Sequence, residues 1–392
     1  MQRSIITIIA ALTASLPLYA QNDIQAVLQA VEQNNTSIHV SRKTAEAEKV
    51  GNHTGLTLAD PEVEFGYLWG SPAGTGNRKD VSAKQSFDMA TLTGAKRRMA
   101  QRKDELADWQ YKADRQNILL EAKQLCMDVI YYNAMLKELD VRLKNAEAIA
   151  AVQERRLKSG EGNKMEYNNV MLDLASVRGE MQRNQTEREA ALAELARLNG
   201  GQAVTLAATE YPAEPVAADF DQWYAETEKR NPALAYLKQQ IEVGRQQVAV
   251  SKAEGMPTVS LGFMGEYTGE HYQGITLGMS IPLWANKNRV RKAKADIEAA
   301  EARQTDARRQ YYGSLRTLYQ RQAGLRQTID TYDQALRSTD NTALLKKALD
   351  AGSITVVDYL MGARLYYETI DRRMDALRSW HKVTAEMNAM TL

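Results

Sequence analysis

Leu349-Asp350-Ala351-Gly352-Ser353-Ile354-Thr355-Val356-Val357-Asp358-Tyr359-Leu360 interrupts two long helical runs, and Leu157-Lys158-Ser159-Gly160-Glu161-Gly162-Asn163-Lys164-Met165-Glu166-Tyr167 echoes it. Leu157 aligns with Leu349, Gly160 with Gly352, Glu166 with Asp358 and Tyr167 with Tyr359, at one constant offset (352 minus 160, or 192). Each copy has a Gly where a helix can end in a left-handed turn. A polar residue and an acid three places later follow: Asn163 with Glu166, Thr355 with Asp358, both spaced as capping boxes. The chain reads as a duplication, and each stretch as the tip of a helical hairpin.

Working outward from the tips, no proline falls between positions 73 and 211 or after 282, so both intervals can hold very long helices. Leu136, Leu139, Leu143, Ala146, Ala150 and Leu157 step by threes and fours before the first tip. Val170, Leu174, Val177, Met181, Ala191 and Leu195 do so after it. Tyr311, Leu315, Leu318, Leu325, Ile329, Tyr332 and Leu336 are answered by Leu360, Ala363, Tyr367, Ile370, Met374 and Leu377 in the second copy. This period predicts coiled-coil packing.

Ahead of each helical hairpin the period changes to two. Val63, Phe65, Tyr67 and Trp69 alternate with Glu64, Gly66 and Leu68; Val81, Ala83 and Phe87 alternate with Ser82, Lys84 and Ser86. Val259, Leu261, Phe263 and Tyr267, then Ile275, Leu277, Met279 and Ile281, repeat the pattern across a turn at Thr268-Gly269-Glu270-His271. Each copy therefore carries one β-hairpin with strands of roughly nine residues, the length of a tilted bilayer-crossing strand. A hairpin on a soluble sheet, its apolar face covered by a helix, is the other reading. Four strands cannot close a barrel, and open edges are not tolerated in lipid, so spanning strands would require several chains to pool theirs.

The repeats set the expected domains: a signal peptide 1–20, a first repeat 21–201, a linker 202–218 and a second repeat 219–392. The β-hairpins are expected at about 62–88 and 258–282, and the helical hairpins at about 95–199 and 287–390. The basic start, short apolar core and Tyr19-Ala20-Gln21 predict a secretory signal cleaved after Ala20. No cysteine follows the cut to carry a lipid, and Cys126, the single cysteine, rules out an internal disulfide framework. A net charge of +1 gives no electrostatic reason to expect a nucleic-acid partner. A mean hydropathy of −0.48 with no apolar run near the ~20 residues of a span excludes a helical membrane protein.

Catalytic signatures are missing: there is no phosphate loop after a strand, no zinc-spaced Cys and His cluster, and no nucleophile on a strand-to-helix turn. The expectation is a non-enzyme without cofactor. His39, His53, His271 and His381 lack metal-ligand spacing, and the methionines are read as coiled-coil filler. Lys96, Arg97, Arg98, Arg102 and Lys103, like Lys287, Arg289, Arg291, Lys292 and Lys294, follow the second strand of each hairpin. They form either a solvated helix face or a basic collar below a membrane.

The order helix, hairpin, helix, tip, helix, twice over, resembles the TolC family of outer-membrane efflux proteins. Ser280-Ile281-Pro282-Leu283-Trp284 ahead of Arg289-Val290-Arg291-Lys292-Ala293, and the second tip itself, are similar to that family too. The resemblance covers nearly the whole mature chain. It implies a mainly α fold with a small β part, in which the two β-hairpins are transmembrane. It also implies a homotrimer whose twelve strands form an outer-membrane barrel continued by a twelve-helix tunnel in the periplasm. Partners implied are outer-membrane lipid, a periplasmic adaptor and an inner-membrane pump of the resistance-nodulation-division or ABC type. Arg156, Leu157, Ser159, Gly160, Leu349, Ala351, Gly352 and Ser353 match the tip segments that meet the adaptor. Asp358 matches the first of two acids that line the family's aperture, but Met361 stands at the second, which leaves one acidic ring. Glu166 is the corresponding candidate in the first copy. Capping and lining an aperture are compatible roles for both acids. The competing reading is a soluble periplasmic coiled-coil adaptor or scaffold.

Overall fold

The computed structural model describes residues 16–284, 286–339 and 342–392; most of the expected signal peptide, residues 1–15, lies outside them. The first repeat runs α1 (Leu16–Asn34), α2 (Thr36–Asn52), β1 (Glu62–Leu68), β2 (Arg78–Phe87), a short α3 (Met89–Leu92), α4 (Ala95–Lys158) and α5 (Lys164–Leu198). The second runs α6 (Phe220–Arg230), α7 (Pro232–Ala253), β3 (Thr258–Tyr267), β4 (His271–Ser280), α8 (Arg289–Ser338), α9 (Thr342–Asp350) and α10 (Val356–Met387). At 1.5 Å per residue, the 64 residues of α4 extend about 96 Å. Among the described residues no helix is long and apolar enough to cross a membrane.

Equivalent caps start equivalent helices. Asn35 and Asn231 are both buried, and their side-chain oxygens accept from the N–H groups of Ile38 and Leu234, opening α2 and α7. The copies differ in places: among the described residues the short α3 has no counterpart after β4, and α8 stops at Ser338 with α9 beginning at Thr342. The hydroxyls of Ser338 and Thr339 donate to the carbonyls of Gln334 and Ala335, as those of Thr317, Thr328 and Thr331 do to the carbonyls four residues back within α8.

The fold divides into two compact units that cut across the repeats, each taking a part of both. The first comprises residues up to His39, Arg115–Thr227 and Tyr312–Leu392. It holds both tips, and its helices pack along buried apolar positions such as Ile329 of α8 against Ala376 and Trp380 of α10. Cys126 is fully buried here, which pushes its thiol up to about 12. His381 is also buried, stacked on Tyr211 at 4.1 Å, and burial holds it down at about 3.

The second unit, residues 40–114 and 228–311, holds the sheet. All four strands form one antiparallel meander in the order β1-β2-β3-β4, with β2 and β3 joining the two repeats. Register puts Val63, Ala83, Phe263 and Ile275 in one row, and Gln85, Leu261 and Leu277 in another on the same face. The opposite face carries Glu62, Lys84, Gly262 and Thr276 in one row and Ser86, Ser260 and Gly278 in another. A Cβ on Gly262 would lie 2.7 Å from the Ala83 carbonyl, and one on Gly278 2.5 Å from Ser260 Oγ. The polar face is therefore crowded where the apolar face is open.

Among the described residues nothing covers that apolar face. Ile275 is 81 %, Leu277 78 % and Val63 75 % exposed, with Phe65, Leu261, Phe263 and Met279 also exposed. Fully burying one such side chain is worth about 1.5–3 kcal/mol, so roughly 10 kcal/mol would remain unrealised in water. The reading of a helix-covered soluble sheet fails on this observation. The outer edges of β1 and β4 are likewise without a strand partner among the described residues.

Candidate gate at the helix tips

Both tips end their first helix in the same way. Gly160 (φ +80°) and Gly352 (φ +68°) take the left-handed conformation. Gly160 N–H donates to the Leu157 carbonyl and Glu161 N–H to that of Arg156. At the second tip Gly352 N–H donates to Leu349 and Ser353 N–H to Ala348. These 5→2 and 6→1 pairs satisfy carbonyls that the helix end leaves open.

The return helices start differently. At the second tip the capping box is complete: Thr355 Oγ1 accepts from Asp358 N–H, and the Asp358 carboxylate accepts from Thr355 N–H at 3.1 Å. The Thr355 hydroxyl and N–H bonds hold the Asp358 carboxyl below the usual carboxylate range. At the first tip the expected box is only half made. Asn163 accepts from Met165 N–H, and no reciprocal bond from Glu166 is present among the described residues. An Asn side chain reaches the second helical N–H as readily as the third, so spacing alone did not decide which one.

A small core ties the tips together: Ala146 and Ala150 of α4, Val170 and Leu174 of α5, and Val356 of α10, with Leu349 and Leu360 packed against them. Beside it a groove of about 500 Å³ is lined by Arg156 of α4 and by Lys346, Leu349, Asp350, Ala351 and Gly352. Four of the expected tip residues, Arg156, Leu349, Ala351 and Gly352, thus meet in one groove. Ser159, Gly160 and Ser353 are exposed on the turns, and Leu157 is half-buried. A second cleft, of about 640 Å³, is lined by Met361 with Tyr359, Asp173, Arg364, Tyr367 and Asp371 among others. Asp358 and Glu166 stand one at the start of each return helix; Asp358 is exposed and Glu166 half-buried.

Sequence reading missed the groups that hold this cleft. The Arg142 side chain is only 3 % exposed, yet it donates two hydrogen bonds to Asp371 (2.7 and 3.0 Å) and one to Glu138 (3.2 Å). It also lies over the Tyr367 ring at 4.5 Å. Burial works against its charge, and the bonds and charges of Asp371 and Glu138 together more than offset this, so the guanidinium sits above its usual range. Burial also raises the Asp173 carboxyl, and it pushes the Tyr359 phenol up to about 12. The missed pair is spatial, 229 residues apart along the chain, and its one local signal is a charge adjoining the apolar stripe at Leu139 and Leu143. Among the described residues no group of three or more His, Cys, Asp or Glu is placed to hold a metal ion.

Residues 223–391, almost all of the second repeat, match the family model described as outer membrane efflux protein. By this repeat the chain is similar to the outer membrane efflux proteins. Solved channels share the whole fold. The outer-membrane channel OprN aligns over 96 % of this chain and 92 % of its own at TM-score 0.75 and 17 % identity. VceC of Vibrio cholerae aligns over 94 % and 95 % at TM-score 0.73 and 16 % identity. MtrE of Neisseria gonorrhoeae, solved in an open state, aligns over 94 % and 88 % at TM-score 0.71 and 13 % identity. A search of the curated proteins found no sequence match. The family that this repeat matches is one of outer-membrane efflux channels, not of enzymes. Channels of this family work with a periplasmic adaptor and an inner-membrane pump.

Proposed function

We propose that three copies of this chain pool their strands into one closed barrel, and that substrate passes through it when the helix tips part. The observation that carries this reading is the sheet: among the described residues, its four strands have an uncovered apolar face, a polar face and two open edges. In lipid the apolar face is satisfied, but the edges are not, so copies must pair β4 of one with β1 of the next. Three copies give twelve strands and begin to leave a lumen, whereas two would fill with side chains. The polar face then lines the passage.

Gating follows from the tips. A channel that stays closed until its partners assemble needs two packings of the tip helices, and the adaptor must bind the open one more tightly. Asp358, Glu166 and Met361 are the aperture candidates, with one acidic ring at Asp358. Arg156, Leu157, Ser159, Gly160, Leu349, Ala351, Gly352 and Ser353 form the surface offered to the adaptor. The cargo and the pump class, resistance-nodulation-division or ABC, follow from the operon and not from this chain. Mass measurement in detergent tests the assembly: the account expects about three times the 43.9 kDa chain, before removal of the leader. A monomer that needs no detergent would restore the soluble scaffold reading.

A further inference from the structure

The two basic clusters behind the sheet have no role in the mechanism above. β2 and β4 run in the same direction, so Phe87 and Ser280 end at the same edge of the sheet. Each cluster follows that edge directly. From 94 to 103 and from 287 to 294 the chain carries ten cations and no acid. Part of this charge is met locally: Lys96 pairs with Asp88, Arg102 with Glu105, Arg289 with Glu254 and Lys292 with Asp296, and Arg98 donates to the Thr93 carbonyl. Arg97, Lys103, Lys287, Arg291 and Lys294 have no acidic partner among the described residues, although Asp60 stands at the same end of the sheet.

Helix stability does not explain this surplus. The first turns of α4 and α8 contain no acid, and cations there oppose the helix dipole. Both repeats pay that cost at the same place. Immediately ahead of the second cluster, Leu283 is 69 % and Trp284 81 % exposed. An apolar strand face, an exposed Trp and then unpaired cations is the sequence of chemistry met on leaving a bilayer: hydrocarbon, interface and anionic headgroup.

We propose that Arg97, Lys103, Lys287, Arg291 and Lys294 bind anionic phospholipid headgroups on the periplasmic face of the outer membrane. The inference rests on the reading that the sheet spans the membrane. Its test is native mass spectrometry of the full-length, delipidated protein, reloaded with phosphatidylglycerol or phosphatidylethanolamine, beside a variant with all five cations changed to Gln. The wild type should retain phosphatidylglycerol preferentially, and less so at high salt. The preference should fall by about fivefold for each cation that faces a headgroup. Thermal stability of the variant should be unchanged or raised, since like-signed charge leaves the helix starts. Unchanged lipid preference in the variant would overturn the proposal. So would a changed ion selectivity of the pore at constant lipid preference, which would put these cations on the lumen. Membrane-inserted wild type without a phosphatidylglycerol preference would defeat this inference alone, whereas a wild type that does not enter bilayers would defeat the spanning sheet and the inference with it.

Discussion

The Arg142–Asp371 pair tests whether α4 and α10 are held together by charge or merely by packing. Changing Asp371 to Ala strands a guanidinium that is 3 % exposed, with Glu138 at 3.2 Å as its remaining acid. Removing one partner from a fully buried pair costs about 3–5 kcal/mol. Asp371 is itself 38 % exposed, and solvent screens part of the interaction, so with Glu138 remaining the expected cost is about 2 kcal/mol. Arg142→Met removes the charge together with its desolvation penalty and keeps much of the volume, which predicts about 1 kcal/mol or less. The double variant should resemble Arg142→Met alone, giving a coupling of about 2 kcal/mol. In thermal unfolding followed by circular dichroism in detergent, Asp371→Ala should lower Tm by about 4–8 °C, at roughly 2–4 °C per kcal/mol. If Arg142→Met cost as much as Asp371→Ala and the two effects simply added, the buried-charge argument would be refuted.

Other expectations follow from single residues. Gly160→Ala and Gly352→Ala each place a Cβ in open space but on a left-handed backbone, so each should cost about 1 kcal/mol, read from the same melts. Thr355→Ala removes the cap of α10 and should cost about 1 kcal/mol. The Asp358 carboxyl is held below its ordinary 3.8, so its contribution is complete above about pH 4 and is lost as pH falls through the lowered value. A pH series should therefore show the Asp358→Ala difference shrinking in acid, and a difference that grew there would contradict the cap. On the sheet, Leu277→Lys faces the proposed lipid and should weaken insertion into vesicles by about 2–4 kcal/mol, whereas Thr276→Lys on the polar face should not; equal effects would remove the distinction between the faces.

Much of this fold could be read from the sequence because its signals are local and repeated. Gly160 and Gly352 mark helix ends through their own backbone, and alternation along Val259–Phe263 and Ile275–Ile281 declares a two-faced strand whatever surrounds it. The constant offset between copies then fixed their order. What escaped was non-local or finely balanced. Arg142 and Asp371 meet only once α10 lies beside α4, and neither residue looks unusual in its own segment. The end of α8 at Ser338 carries no glycine or proline to announce it, and apolar periodicity does not register it. The sheet's lack of cover is a property of the folded chain, so alternation alone left the soluble and spanning readings open.

The most direct test of the account is single-channel conductance of purified protein in planar bilayers, wild type beside Asp358→Ala. The account predicts long-lived conductance steps, with altered conductance or altered cation block in the variant, as expected if Asp358 lines the narrowest point as proposed. Steps unchanged by the substitution would keep the channel and leave Asp358 as a helix cap. No steps at all, from a protein that stays in solution without detergent, would contradict the channel itself.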